Sequence, residues 1–260
     1  MEDTMKLLHT FIILSVLVFS SDLSVFAQTP REIVNQCITT VGGEEGVRNF
    51  SNYKAAGKMD FSFGWGTFPA RFTMIKKGRK SWLKGEFDFS GSVFTLLQVF
   101  DGKNAWVGRR GVIADKPALN YLSDLDHTPL LLLEKDATFS LAEKTEIEGK
   151  PVIGIEVTLN NKKTVFFIDR TDHTIKEIRY IDLFYGDSLV KETLRKRIRC
   201  LDYKKIEGFM FPSRMIYYQE GKKKMELHFQ EIKFDPKVVP DIFARPHQEL
   251  DLRYWEEKYD

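Results

Sequence analysis

From Tyr53 onward the sequence alternates between apolar and polar residues, and that period of two leaves few architectures open. Met59, Phe61, Phe63 and Trp65 alternate with Lys58, Asp60, Ser62 and Gly64, and Phe68, Ala70, Phe72 and Met74 alternate with Pro69, Arg71 and Thr73. Such a pattern places one set of side chains on one face of a strand and buries that face against a core. Lys77-Gly78-Arg79 turns the chain, and Trp82 to Phe89 continues as strand with Phe87 and Phe89 on one face. Gly91 breaks the run, Val93 to Phe100 resumes it, and Asp101-Gly102-Lys103-Asn104 makes a hairpin turn into Ala105-Trp106-Val107. In the second half, strands are expected over 138–147, 152–159, 163–168, 174–183, 190–203, 213–219 and 224–234. Turns fall at Glu148-Gly149-Lys150, Asn160-Asn161, Asp169 to Asp172, Gly186-Asp187, Glu207-Gly208 and Glu220-Gly221. About eleven strands joined by short turns predict a mainly β domain with one antiparallel sheet.

Two segments break the period. Thr29-Pro30-Arg31-Glu32 supplies an N-cap, a proline in the first turn and a capping-box glutamate, after which Ile33, Val34, Cys37, Ile38 and Val41 share one helical face. Gly42-Gly43 ends this N-terminal helix. The middle, 115–135, holds Pro117, the apolar set Leu119, Tyr121, Leu122 and Leu125, then Pro129 and the run Leu130, Leu131, Leu132, Leu133. Two short helices are expected there. Four consecutive leucines cannot all face one core, so the segment is either buried between layers or lines a ligand site. Phe, Trp and Tyr make up 13% of the chain, and an apolar sheet face this rich needs a cover. The two helical segments either fill the space completely or lie across it as a lid over an apolar cavity. For the second arrangement the lining candidates are Phe61, Phe63, Phe72, Phe87, Phe89 and Leu130 to Leu133, and a single bulge would invert their faces.

Residues 1–27 read as a secretory signal peptide. Lys6 precedes an apolar core from Leu7 to Phe19, and Val25-Phe26-Ala27 offers small residues where cleavage requires them. The core is shorter than the roughly 20 residues of a membrane-spanning helix. Removing this segment takes away one lysine and three acids and raises the formal charge from +2 to +4, too little for a nucleic-acid footprint. The organisation expected is a signal peptide (1–27), one exported β domain (28–246) and a charged tail (247–260). In an oxidising compartment Cys37 and Cys200 are a candidate disulfide, and two buried small apolar residues are the other reading.

Catalytic constellations are absent from the sequence. His127, His173, His228 and His247 show no metal-ligand spacing, and alternation places His228 on the solvated face beside Glu226. Ser90-Gly91-Ser92 lacks the flanking glycines of a nucleophile elbow, and Gly42 to Gly46 is a helix stop rather than a phosphate loop. No enzyme activity, cofactor or metal is expected. Arg195, Arg197 and Arg199 alternate along one strand, either as a docking surface for acidic groups or as a solvated face.

The order of these pieces resembles the LolA/LolB-like superfamily, in its branch of outer-membrane lipoprotein-sorting-protein-like domains. The resemblance is carried by Val41 to Gly46, Gly57, Asp101 to Trp106, Phe167-Ile168-Asp169 with Thr174-Ile175, Asp202 to Pro212, and Phe243-Ala244-Arg245-Pro246. It implies an unclosed antiparallel β-barrel with helices over its inner apolar face. It further implies a periplasmic carrier of lipid or lipoprotein acyl chains that exchanges them with an envelope membrane protein. The alternative is a non-catalytic envelope interaction module with a filled core.

Overall fold

A computed structural model describes residues 28–63, 66–89, 92–109, 112–115, 128–185 and 191–246. The signal segment 1–27, the expected helix around Leu119 to Leu125 and the tail 247–260 lie outside the described residues. Two helices open the described chain, α1 (Pro30–Thr40) and α2 (Gly43–Asn49). Six strands follow: β1 (Asn52–Phe63), β2 (Gly66–Lys77), β3 (Lys80–Phe89), β4 (Ser92–Phe100), β5 (Ala105–Arg109) and β6 (Val112–Asp115). A short 3-10 helix (Pro129–Leu133) then leads to β7 (Thr138–Ile147), β8 (Lys150–Leu159), β9 (Lys162–Asp169) and β10 (Ile175–Tyr185). The last strands are β11 (Lys191–Ile206), β12 (Phe209–Gln219) and β13 (Lys222–Phe234), with a second 3-10 helix at Pro240–Phe243.

All pairings are antiparallel, and the order β6-β5-β4-β3-β2-β1-β13-β12-β11-β10-β9-β8-β7 makes one sheet with β6 and β7 at its edges. The sheet does not close, which gives the unclosed barrel expected from the sequence. It consists of two meanders joined at a seam where β1 pairs with β13 from Tyr53↔Phe234 to Phe61↔Met225. The seam carries a bulge at Ala56/Gly57. A Cβ on Gly57 would collide with the backbone oxygen of His228, so the close approach there requires glycine.

The turns form where the sequence supplies residues that accept left-handed backbone. Glu148, Gly149, Asn160, Asn161, Glu207, Gly208, Glu220 and Gly221 all have positive φ. The helix start is built as its residues dictate: Glu32 N donates to Thr29 Oγ1 at 3.3 Å, and Thr29 N donates to Glu32 Oε2 at 2.8 Å. Gly42 ends α1 at φ 106°, yet the chain resumes as α2, which the reading of Gly42-Gly43 as a stop did not anticipate.

The main core unites Ile33, Val34, Cys37 and Val41 of α1 with the inner-face residues of the strands, among them Phe61, Phe72, Phe87, Ile155, Phe166 and Phe211. A second apolar cluster lies on the outer face, where Ile242 and Phe243 cover Ile75, Trp82, Leu97 and Val99 with Trp106 beside them. Trp82 and Trp106 therefore belong to the outer cover and not to the inner aromatic face.

Candidate ligand cavity

The inner face stops being filled at the 3-10 helix Pro129–Leu133, which touches α2 and β8. Pro129 presets its first turn, and Leu131 N donates to Thr128 O at 3.1 Å. In 3-10 geometry residues three apart lie on one side. Pro129 and Leu132 accordingly turn into the core, Leu132 to 1% exposure, while Leu130 and Leu131 stay half-buried.

Across from them stands the β8–β9 hairpin, closed by Asn160 and Asn161 at φ 51° and 61°. It sets Leu159 opposite Lys162 and Val157 opposite Thr164. Lys162 thus has the parity of Thr164, Phe166 and Ile168, the residues that face inward. Arg79, at the β2–β3 turn, supplies the third side. Between these segments lies a cavity of about 350 Å³ whose apolar wall is Leu130, Leu131 and Leu159. Its polar lining among the described residues is Arg79, Lys162, Glu134, Thr128, Thr164 and Asn160.

Thr128 is unusual among them. It stands at the N-cap of the 3-10 helix, where a threonine hydroxyl ordinarily accepts a backbone hydrogen bond. Here it makes no cap bond, and its Oγ1 is buried with no hydrogen-bond partner among the described residues, the residue being 7% exposed. A buried hydroxyl left this way costs about 1–3 kcal/mol.

Of the lining candidates read from the sequence, Leu130 and Leu131 line this cavity. Leu133 packs half-buried against the main core. Phe61, Phe72 and Phe87 lie within the main core at 5%, 3% and 1% exposure. Phe72 meets Phe229 edge-on at 5.6 Å between centroids, and Phe61 meets Phe87 in the same way at 6.3 Å. The side chains of Phe63 and Phe89 are outside the described part. Arg79, Thr128 and the hairpin pair Leu159 and Lys162 carried no signal that would have joined them, since they come from three segments far apart in sequence.

Cys37 and Cys200 are both buried free thiols. Burial, reinforced at Cys37 by the Asp172 charge, pushes that thiol up to about 12. Burial raises Cys200 to about 12 as well, against a hydrogen bond with Tyr203 that works the other way. Both therefore keep their protons, whereas thiol exchange proceeds through the thiolate.

No family model matches the sequence, and no curated protein matches it. Solved structures do. A LolA superfamily protein from Nitrosomonas europaea superposes with a TM-score of 0.52, covering 84% of this chain and 98% of that one at 15% identity. The fold is LolA-like. A DUF1329 family protein from Desulfovibrio piger gives a TM-score of 0.51, with 84% and 98% of the two chains covered at 11% identity.

The outer side of this LolA-like sheet is occupied by ion pairs. Glu177 is fully buried and accepts from Arg179 Nε and, at 3.0 Å, from Arg199 Nε, with Arg197 Nε 3.7 Å away. Arg199 reaches Glu148 at 2.9 Å, Arg179 reaches Glu143 at 3.0 Å, and Arg197 lies over the Tyr218 ring at 4.0 Å. Burial opposes the charge on Arg199, but the Glu177 carboxylate outweighs it and raises the pKa. Two members of the arginine stripe, Arg197 and Arg199, are thus bound to a carboxylate that the sequence reading had not linked to them.

Asp60, Glu226 and His228 also converge on this face, their ligand atoms within 4.8 Å of one another. Glu226 already lies 2.8 Å from Lys223 Nζ, 3.4 Å from Arg214 Nη1 and 3.1 Å from His228 Nε2. Two fixed cations beside the carboxylate oppose a metal ion there, and the group reads as an ion-pair network.

Proposed function

We propose that the chain is a periplasmic carrier or binding protein for a lipid or acyl-chain ligand, free or as the anchor of a lipoprotein. The observation that carries this reading is the leucine-walled cavity on the inner face of a LolA-like sheet, bounded by a short 3-10 turn. Each acyl methylene moved from water into such a wall contributes about 0.8 kcal/mol. At about 350 Å³ the cavity sits at the lower end of the range of roughly 300–1,000 Å³ typical of ligand sites, a size that suits one chain at a time. The signal-like segment 1–27 supports the periplasmic assignment, and an envelope membrane protein is the partner that would load or unload the ligand.

Native mass spectrometry of the protein purified after export, followed by organic extraction, tests the reading. The expected result is a stoichiometric adduct of acyl-chain mass that Leu131→Glu loses while the circular dichroism spectrum is unchanged. A chain that stays bare after incubation with phospholipids and lipopeptides overturns the reading. It would favour the alternative, a non-catalytic envelope interaction module with a filled core, for which the close packing of Phe61, Phe72 and Phe87 speaks.

A further inference from the structure

Exposure falls from one side of the cavity to the other, which gives it a mouth and a floor. Arg79, Glu134, Asn160 and Lys162 are exposed, Leu130, Leu131 and Leu159 are half-buried, and Thr164 is buried. Beyond Thr164 the inner face is full. Val157 lies opposite Thr164, and the next inward positions of the two strands are Ile155 and Phe166. These three and Leu132 of the 3-10 helix are 0–1% exposed. The cavity therefore cannot lengthen inward without displacing a packed core side chain, which close-packed interiors resist.

The volume then limits the ligand. A methylene takes about the space of a water molecule in the liquid, roughly 30 Å³. The cavity of about 350 Å³ thus holds roughly a dozen carbons. Two sixteen-carbon chains would need roughly 1,000 Å³, and three roughly 1,400 Å³. We infer that the site admits one acyl chain to a depth of about twelve carbons, and that any further chain of the same ligand stays outside. Leu130, Leu131 and Leu159 form its side wall, and Val157 and Phe166 set its depth. This rests on the carrier reading and adds to it a chain number and a length limit. The class of ligand such a site serves is the monoacyl lipid, in which no second chain is left in water. A free fatty acid and a lysophospholipid are its two sources.

Isothermal titration of the purified, delipidated chain with saturated fatty acids of eight to eighteen carbons, each below its micelle concentration, reads the length limit. Affinity should rise roughly fourfold per methylene up to about twelve carbons and level off beyond. Chain number is read by comparing octanoyl lysophosphatidylglycerol with dioctanoyl phosphatidylglycerol. Their affinities should agree within about twofold, whereas burial of a second octanoyl chain would raise affinity more than about a thousandfold. Val157→Ala should move the break to chains about two carbons longer. Leu159→Trp, at the half-buried wall, should move it to shorter chains, with the circular dichroism spectrum unchanged in both. The tighter binder of dodecanoate and dodecanoyl lysophosphatidylglycerol names the source of the chain, and either one supports the inference. An affinity that keeps rising to eighteen carbons overturns the inference and leaves the carrier reading standing. So does a dioctanoyl lipid bound more than about a hundredfold more tightly than the monoacyl one, or a break that neither substitution moves. Failure of every chain to bind removes both.

Discussion

Two parts of the inner face are built differently. At the seam of β1, β13 and β12, Phe211 lies at the centre of a ring cluster: Phe50 at 5.0 Å, Tyr53 at 5.2 Å, Phe234 at 5.7 Å and Phe229 at 5.8 Å between centroids. Elsewhere the face meets a 3-10 turn and a hairpin tip, and a cavity of about 350 Å³ is left between them. The rings at the seam come mostly from strands, whose positions are fixed by hydrogen-bonded ladders on both sides. The cavity walls come largely from turns, which open at lower free energy than ladders do. On the proposed carrier reading, stability and binding fall to different parts of one surface, and each can be altered without the other.

Removing the central ring tests the stability side most strongly. Phe211→Ala is expected to destabilise the fold by about 3–5 kcal/mol in urea denaturation, the usual cost of emptying a buried aromatic site. A loss below about 1 kcal/mol would show that the ring cluster is not the stabilising centre. The 3-10 turn offers a sharper contrast between adjacent residues. Leu132, at 1% exposure, should cost about 2–4 kcal/mol on substitution by alanine. Its neighbour Leu131, half-buried at the cavity, should cost about 1 kcal/mol or less but lower acyl-chain retention. Equal costs for the two would erase the distinction between wall and core.

The smallest effect expected is that of pH. Burial pushes the Asp172 carboxyl up, but hydrogen bonds from Lys176 and Thr174 outweigh it and hold it below its ordinary value. Glu226 is likewise raised by burial and lowered further by Lys223 and His228. A carboxylate with a depressed pKa contributes stability above its unfolded value, and the contribution is lost as pH falls through the folded value. The melting temperature should therefore be flat near neutrality and fall below about pH 4. Asp172→Asn should flatten part of that slope, and an unchanged slope would mean that other carboxylates set it.

Much of the fold was legible because alternation and turn chemistry are local. The Glu-Gly and Asn-Asn pairs announced left-handed turns, and Thr29 with Glu32 announced the helix start. The second helix was not legible, since Gly42-Gly43 does end α1. What the sequence concealed is that the Phe209 ring occupies the place where a Cβ on Gly42 would stand and that Met210 N binds Val41 O, so the helix pair is anchored to β12. The cavity was half legible. The leucine run marked one wall through its excess of apolar faces, but Arg79, Thr128 and Lys162 are joined only by tertiary placement. The arginine stripe was visible, whereas its buried partner Glu177 resembled any other strand glutamate.

The seam has a consequence for how the molecule comes into being. β1 is the first and β13 the last strand of the described residues, yet they are neighbours, tied at one end by Asn52 Nδ2 donating to Asp235 Oδ1 at 3.1 Å. Each meander can zip from its own hairpins, but joining the two halves waits until β13 has been synthesised. Pairing across such a sequence separation is slow, and until it occurs β1 and β13 are both unsatisfied edges open to other chains. An emerging copy of this protein therefore exposes adhesive strand edges for longer than a simple meander would, until β13 covers β1.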